Sequence, residues 1–523
     1  MKKWTLLFFL LPFVVYAQQI DLDKVPYKSA LVHLLHANNH IQPIDTTDTG
    51  YSTLQYHSFS SKGQFINVRH QQYLTDYLLF NIHFDKFSQE GIYNRENLKL
   101  HNVQTNVLFT NKNKRYQAHL YLGYHKFIMD ENGGIFNYAF NFDEPLLNQI
   151  NLLSAQNEAK NRNHAFSQKF NLTDNWSISN QISILSNRRT YSDESPNSIF
   201  YSDIYIDSTQ TYDSLSTLDI SNRFGISYKN FTVSQLLHSR QAFINTIDST
   251  DNDLGLAFDY TNDRYGIYFN SEFYQSSHLS LLLSKSFKII SSSHQLALSY
   301  DKTRTPIFIN SYYSNHYLFD TEFSNTKSLA ASYLFKLKDW SFSTKLNEYT
   351  DYIFLDQSAK YQQYRSSILH WHNKLSLRWN WEKFHTLHSI DYHYTDNTRI
   401  LRFPNFNYTT TWWLESDLFG DNLNTQVGAQ LNYFTAYYAQ AYNPALALYQ
   451  LQDTQFVGEV PLLSAFINLK VHNMNINIKY RNVLSLLKDN TDMHYFIPNY
   501  PNYPPTIQFS VVWKLSNFSN KAL

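Results

Sequence analysis

The stretch "NMNINIKYRNV", residues 473–483, alternates polar and apolar side chains almost without a break. Met474, Ile476, Ile478 and Tyr480 fall on one parity, and Asn473, Asn475, Asn477, Lys479 and Arg481 on the other. Successive side chains of an extended strand point to opposite faces, so this segment has one greasy face and one wet face. In a soluble sandwich the greasy face points inward. In a membrane barrel it points outward, at lipid.

The pattern recurs along the chain. "LNTQVGAQLNY" sets Leu423, Val427, Ala429, Leu431 and Tyr433 against Asn424, Gln426, Gln430 and Asn432. "WSISNQISI" sets Trp176, Ile178, Ile182 and Ile184 against Ser177, Ser179, Gln181 and Ser183. "SLAASYLFKLK" (from Ser328) and "TIQFSVVWKL" (from Thr506) repeat it, and helical periodicity is weak nearly everywhere. Segments of about 10 residues with this alternation match strands that cross a bilayer at a tilt. Aromatic residues make up 17% of the chain, yet mean hydropathy is only −0.44. Strands that are half wet and half greasy give that combination.

The connections carry the argument further, because short and long links alternate. Short links are expected at 111–113, 173–175, 229–230, 261–263, 291–293, 337–339, 381–383, 420–421 and 472–473. Long ones are expected near 128–161, 190–214, 303–322, 435–459 and 486–504, with shorter members near 88–98, 244–252, 353–362 and 397–405. An antiparallel barrel with tight periplasmic turns and long extracellular loops has this rhythm. The expectation is an all-β transmembrane antiparallel β-barrel of about 20 strands, or 18 if a weak pair fails, with both termini periplasmic. Closure also pairs every backbone group that would otherwise sit bare in lipid.

The N-terminus fits export. "MKKWTLLFFLLPFVVYAQQ" has Lys2 and Lys3, an apolar core from Trp4 to Tyr16 and a small-residue site at Ala17. It reads as a signal peptide over residues 1–17. Residues 18–72 show little alternation and are expected as a periplasmic or barrel-mouth segment. The barrel is expected over 73–515 and a tail over 516–523. The 43 basic and 43 acidic residues balance, which gives no reason to expect a nucleic-acid partner. The chain has no cysteine, so disulfides, thiolate nucleophiles and Cys-ligated metals are ruled out together.

Three blocks resemble the putative porin family of Gram-negative outer-membrane β-barrels. They are "IQPIDTTDTGYSTLQYH" (Ile41–His57), the early hairpins over Phe80–Ile135 with Gly91-x-Tyr93-x-Arg95 and Asn132-Gly133-Gly134, and the closing strands over Val460–Leu515. The resemblance implies a cell outer membrane location and a porin function. It also implies dealings with outer-membrane lipid and lipopolysaccharide, and with periplasmic chaperones and barrel-assembly machinery during biogenesis. A homo-oligomer is left open. The last strand ends on Leu515, where this family usually has an aromatic residue.

Motifs for chemistry are sparse. His370 and His372 share a strand face, and two such imidazoles can bind a metal. In a chain with 21 His they read better as lumen-facing polar groups. Asn132-Gly133-Gly134 opens a loop rather than a helix, so it reads as a turn, not a phosphate cradle. The acidic run Asp248–Asp253 reads as a solvated loop tip, with calcium or bridged lipopolysaccharide as the sharper alternative. No catalytic, cofactor or metal residue is assigned, no cofactor is expected, and the chain is read as a non-enzyme.

Expected pore-lining residues are Lys336, Lys345, His370, His372, Lys374, Arg378, Lys479 and Arg481. With Lys470 and Lys514, and Asp391 as the clearest acid, they suggest a mild anion preference. Trp176, Tyr433 and Trp513 are expected in the lipid-facing aromatic girdle. The leading functional reading is a porin, a water-filled channel for passive diffusion of small hydrophilic solutes. The alternative is a substrate-selective or plugged uptake barrel; an outer-membrane enzyme comes last. A separate globular plug of the TonB-dependent kind would need well over a hundred N-terminal residues, and here there are about 55.

Overall fold

The computed structural model describes residues 50–59, 62–135, 144–245, 247–274, 278–420, 422–486, 495–501 and 505–515. Among them the chain forms one antiparallel sheet of 22 strands. The first half runs β1 (Tyr51–Phe59), β2 (Gly63–Thr75), β3 (Leu78–Gln89), β4 (Leu98–Thr110), β5 (Tyr116–Asp130), β6 (Gln156–Asn171), β7 (Trp176–Asp193), β8 (Thr211–Tyr228), β9 (Phe231–Ile244), β10 (Ile247–Thr261) and β11 (Tyr265–Tyr274). The second runs β12 (His278–Ile289), β13 (Ser292–Thr303), β14 (Thr326–Leu337), β15 (Trp340–Thr350), β16 (Ile368–Trp381), β17 (Phe384–Thr395), β18 (Phe406–Leu418), β19 (Leu423–Phe434), β20 (Leu462–Val471), β21 (Met474–Arg481) and β22 (Thr506–Leu515). Each strand pairs with the next. β22 also pairs with β1, Thr53 opposite Lys514 and His57 opposite Ser510, so the sheet closes into a barrel.

The strand count corrects the expectation of about 20. The two extra strands come from residues expected to precede the barrel: Tyr51–Thr75 forms β1 and β2. Residues 1–49 and 516–523, which hold the expected signal peptide and tail, lie outside the described residues. The acidic run Asp248–Asp253 is also corrected. It is strand, not loop tip, and the link before it shrinks to 245–246.

The alternation of links is borne out. One rim carries turns such as 229–230, 290–291, 338–339, 382–383 and 472–473. In these five the first residue sits at φ +46° to +54°, although none is glycine. Positive φ at that position lets a two-residue turn follow the right-handed twist of its strands. The opposite rim carries the long links 131–155, 194–210, 304–325, 351–367, 435–461 and 482–505. An even strand number puts the start of β1 and the end of β22 on the short-turn rim.

Register and exposure identify the faces. One parity carries exposed Leu120, Ile182, Leu298, Val427, Ile478 and Phe509. The other carries buried Asn67, Asp85, Asn102, Asn163 and Ser464, which face other elements inside the barrel. The greasy parity of 473–483 therefore points outward, and Asn475, Asn477, Lys479 and Arg481 point inward. A charge forced onto the outward face at mid-membrane costs about 2–4 kcal/mol. Leu375→Arg, on the outward register of β16, should lose roughly that much in unfolding from lipid bilayers, and Ser376→Arg, on the inward register, close to nothing. Equal losses would reverse the assignment of faces.

Candidate functional site: a loop-closed mouth over a polar lumen

The link between β19 and β20 does not stay at its own edge of the barrel. Residues 441–443 and 448–450 pair as a small hairpin, joined by Pro444-Ala445-Leu446-Ala447. Ala447 takes φ +52° to close the turn and is 0% exposed. The hairpin is anchored at its base, where Tyr437 and Val457 bridge and Gln452 donates to the Ala439 carbonyl at 2.5 Å.

Its apolar side chains meet the inner wall and the other long loops. Tyr442 and Ala447 pack with Phe87, Leu98, Leu100, Phe127, Met129 and Ala159, inward-facing residues of β3 to β6. Leu446 packs with Ile244 of β9, Tyr312 and Phe319 of loop 304–325, and Leu355 and Ala359 of loop 351–367. Ala445 packs with Leu152, Tyr191 and Tyr201. One four-residue turn thus joins three apolar clusters, contributed by wall strands and five other loops, the fifth through Ile497 of link 482–505. The hairpin spans the mouth from β19–β20 to the far wall.

A buried polar network latches it there. Arg189 of β7 donates to the Pro444 carbonyl at 3.0 Å and the Ala445 carbonyl at 2.7 Å. Arg189 Nε donates to Asn157 Oδ1 at 3.0 Å, and the Nη2 that serves the two carbonyls also lies 2.7 Å from it. Asn157 Nδ2 donates to Glu131 at 2.7 Å and to the Pro444 carbonyl at 2.9 Å. The Tyr442 hydroxyl donates to Glu131 at 2.7 Å. Glu131 and Asn157 are 0% exposed. A buried guanidinium and carboxylate are stable only while their hydrogen bonds are complete, and here the hairpin completes them.

The neighbouring loops brace the same structure. Gly133 and Gly134 sit at φ +66° and +88°. A Cβ on Gly133 would meet Leu152 at 2.7 Å, and one on Gly134 would meet Asn499 at 2.7 Å. The Asn-Gly-Gly step is a turn that lets two loops touch. Arg95 of the Gly-x-Tyr-x-Arg segment donates to the Ala155 carbonyl at 2.8 Å, so it supports that loop. Across the mouth, His316 stacks on Tyr201 at 3.7 Å. Tyr201 donates to Asp193 at 2.7 Å, and the backbone N–H of Asn315 donates to Asp213 at 2.7 Å.

Below the loops the wall is polar. His370, His372, Lys374 and Arg378 of β16 lie on its inward register, as do Lys336 of β14, Lys345 of β15, and Lys479 and Arg481 of β21. They do not form one cluster. His370, His372 and His393 stack nearly parallel, with Phe403 on the outer ring. Asp391 accepts from His372 at 3.0 Å and from Lys374 at 3.4 Å. Lys479 donates instead to Gln430 at 3.0 Å. Among the described residues no three His, Asp or Glu groups are placed to hold a metal ion. On β10, Asp253 pairs with Arg240 at 2.7 Å and Asp251 pairs with Arg304, so these two acids of the run face partners inside the barrel, while Asp248 lies on the outward register opposite Phe243. Trp176 and Trp513 are exposed on the outward register toward the short-turn rim; Tyr433 lies outward toward the long-loop rim.

The Putative porin family matches residues 14–517. The chain belongs to that family. Comparison with curated proteins gave no match. Among solved structures, the FrpB iron transporter from Neisseria meningitidis (F3-3 variant) is 10% identical with a TM-score of 0.60, over 90% of this chain and 82% of that one. The copper transporter OprC is 10% identical with a TM-score of 0.65, over 89% and 80%. The siderophore receptor PirA from Acinetobacter baumannii is 9% identical with a TM-score of 0.60, over 90% and 81%. These likenesses are of fold.

Sequence reasoning missed Glu131, Asn157, Arg189 and Tyr442. The signal available was weak: an arginine on the inward parity of a long strand, beside a loop rich in Tyr and Ala. The mouth also holds a titratable contact. Burial holds the His316 imidazole below its ordinary value of 6.5, while Asp213, Asp193 and the Asp203 carbonyl pull the other way. A group depressed in the folded state binds protons more readily once released, so its contribution is complete above about pH 6.5 and falls as pH drops through the folded value. Protection factors across 194–210 and 304–325, after correction for the intrinsic pH dependence of amide exchange, should therefore fall between pH 7 and pH 5, and His316→Phe should remove that fall. Protection factors that are flat with pH in both proteins would contradict this role.

Proposed function

We propose that this protein is an outer-membrane uptake barrel that is closed at its outer mouth by its own loops and admits selected solutes when that closure yields. The seating of hairpin 441–450 on Arg189, Asn157 and Glu131 carries the reading. In this orientation the long-loop rim faces outside and the short turns and both termini face the periplasm, as is usual for such barrels. The outward aromatics Trp176, Tyr433 and Trp513 then lie at the two headgroup levels.

Three considerations favour this over the open diffusion pore expected from the sequence. A barrel of 22 strands encloses a lumen that transporters of this size keep plugged, whereas barrels of 16–18 strands leave an aqueous channel. The long loops pack with one another rather than standing away from the mouth. The structural neighbours are named as transporters and receptors for iron, siderophores and copper. The family description, Putative porin, supports passage of solutes in either reading. The inward Lys336, Lys345, Lys374, Arg378, Lys479 and Arg481 favour anionic solutes along their own stretch of wall; Asp391 offsets Lys374, and Glu415 and Asp417 of β18 also face inward.

The test is conductance of the refolded chain in a planar bilayer. Wild type should be closed or show only small, brief events. Arg189→Ala removes the donor to Asn157 and to the Pro444 and Ala445 carbonyls, at a cost of about 1–3 kcal/mol for each buried acceptor left unmet, and should give frequent large openings. Deleting 441–450 should give steady ones. Wild-type steps as large and as lasting as those of the deletion would restore the open-pore reading.

A further inference from the structure

Strands β3 to β7 carry a band of positive charge on their outward face, at the long-loop end. One cross-strand row runs Lys86, His101, Lys126, Lys160, Arg188, each opposite the next in register. Lys99 lies one step closer to the loops, opposite Ile128, and Arg162 one step further from them, opposite Tyr124. Among the described residues the acid in this band is Glu158, which pairs with Lys160 and, at 3.5 Å, with Lys126. Lys86, Lys99, Arg162 and Arg188 are left exposed.

Beneath the cations the outward rows become largely apolar on β3 to β5. One step down lie Phe84, Val103 and Tyr124, with Arg162 and Ser186 completing the row, and two steps down lie Ile82, Leu122 and Ile184, interleaved with Thr105 and His164. Leu122 and Ile184 are exposed there, as expected of a hydrocarbon-facing surface. The basic band therefore sits where hydrocarbon gives way to charged headgroups. A row of arginines and lysines spaced across adjacent strands matches an array of phosphates, with arginine able to bind bidentately.

We infer that this band is a docking site for the phosphates of an outer-leaflet phosphorylated glycolipid of the lipid A type. This rests on the orientation proposed above. Charge complementarity and the position at the edge of the apolar belt select the occupant. An acidic protein would not need outward Phe84, Val103, Leu122 and Ile184 beneath the cations, and free phosphate would not use them.

The experiment is native mass spectrometry of the delipidated, refolded chain titrated with diphosphoryl lipid A, monophosphoryl lipid A and phosphatidylglycerol. Wild type should retain one diphosphoryl lipid A at least tenfold more tightly than phosphatidylglycerol, with the monophosphoryl form between. Lys86→Glu/Arg162→Glu/Arg188→Glu should lose that preference. The milder Lys86→Gln/Arg162→Gln should weaken it while preserving heat-modifiable gel mobility. Lys302→Glu, outward on the far side of the barrel, should leave it intact. Equal retention by wild type and both band variants, equal binding of phosphatidylglycerol, or displacement by inorganic phosphate at the concentration of the lipid would each overturn the site. Arg189→Ala should bind lipid A normally whatever its conductance, which separates this result from the closure of the mouth. Ile199→Cys, 94% exposed in loop 194–210, should react with an impermeant thiol reagent on intact cells. No reaction would place this rim in the periplasm and overturn the outer-leaflet occupant.

Discussion

A sheet immersed in hydrocarbon cannot leave an edge, because each bare N–H or C=O there costs several kcal/mol. The pairing of β22 with β1 answers that constraint, and the rest of the molecule follows from it. Closure requires an even number of strands if both ends are to leave by the same rim, and here the number is 22. Closure at that size creates a wide interior. The interior must then be filled, either by water or by protein.

This chain fills its mouth with its own links. The upper inward faces of β3 to β6 are apolar, with Phe87, Leu98, Leu100, Phe127 and Met129, where the lower wall is polar. Such residues would be misplaced beside water. They are satisfied by Tyr442 and Ala447 from a loop that starts far around the barrel. Arg189 and Glu131 add specificity. Their buried charges are balanced when the Pro444 and Ala445 carbonyls and the Tyr442 hydroxyl are in place. Apolar packing and the polar latch share the residues of one hairpin, so on the proposed reading they break together, as a two-state element rather than a gradual one.

How much of this was legible in the sequence depended on range. Period-two alternation is local, so the faces of β7, β14, β19, β21 and β22 and most of the tight turns could be read directly. Where a strand serves two environments the pattern fails. β2 places Phe65 beside Asn67, Arg69 and Gln71 on one inward face, because Phe65 packs at the edge of the loop cluster and the others face the polar wall. That mixture hid the first two strands. The run Asp248–Asp253 has turn-like composition, but its inward acids are neutralised by Arg240 and Arg304 from other elements. The inward register of the basic and histidine residues was legible; their partners were not. The latch joins residues 311 positions apart, and no local pattern reports a contact of that separation.

The central claim is that the tip of hairpin 441–450 is inaccessible until the mouth opens, and the absence of cysteine makes it directly measurable. Ala445 is 3% exposed, and Ala445→Cys is a small change. On this account the single thiol, in the refolded protein in vesicles, stays unreacted with a membrane-impermeant maleimide over the time in which an exposed loop thiol is labelled fully. It reacts once Arg189→Ala is added. Labelling of Ala445→Cys as fast as the exposed control, with Arg189 intact, would contradict a latched mouth and leave an open barrel in its place.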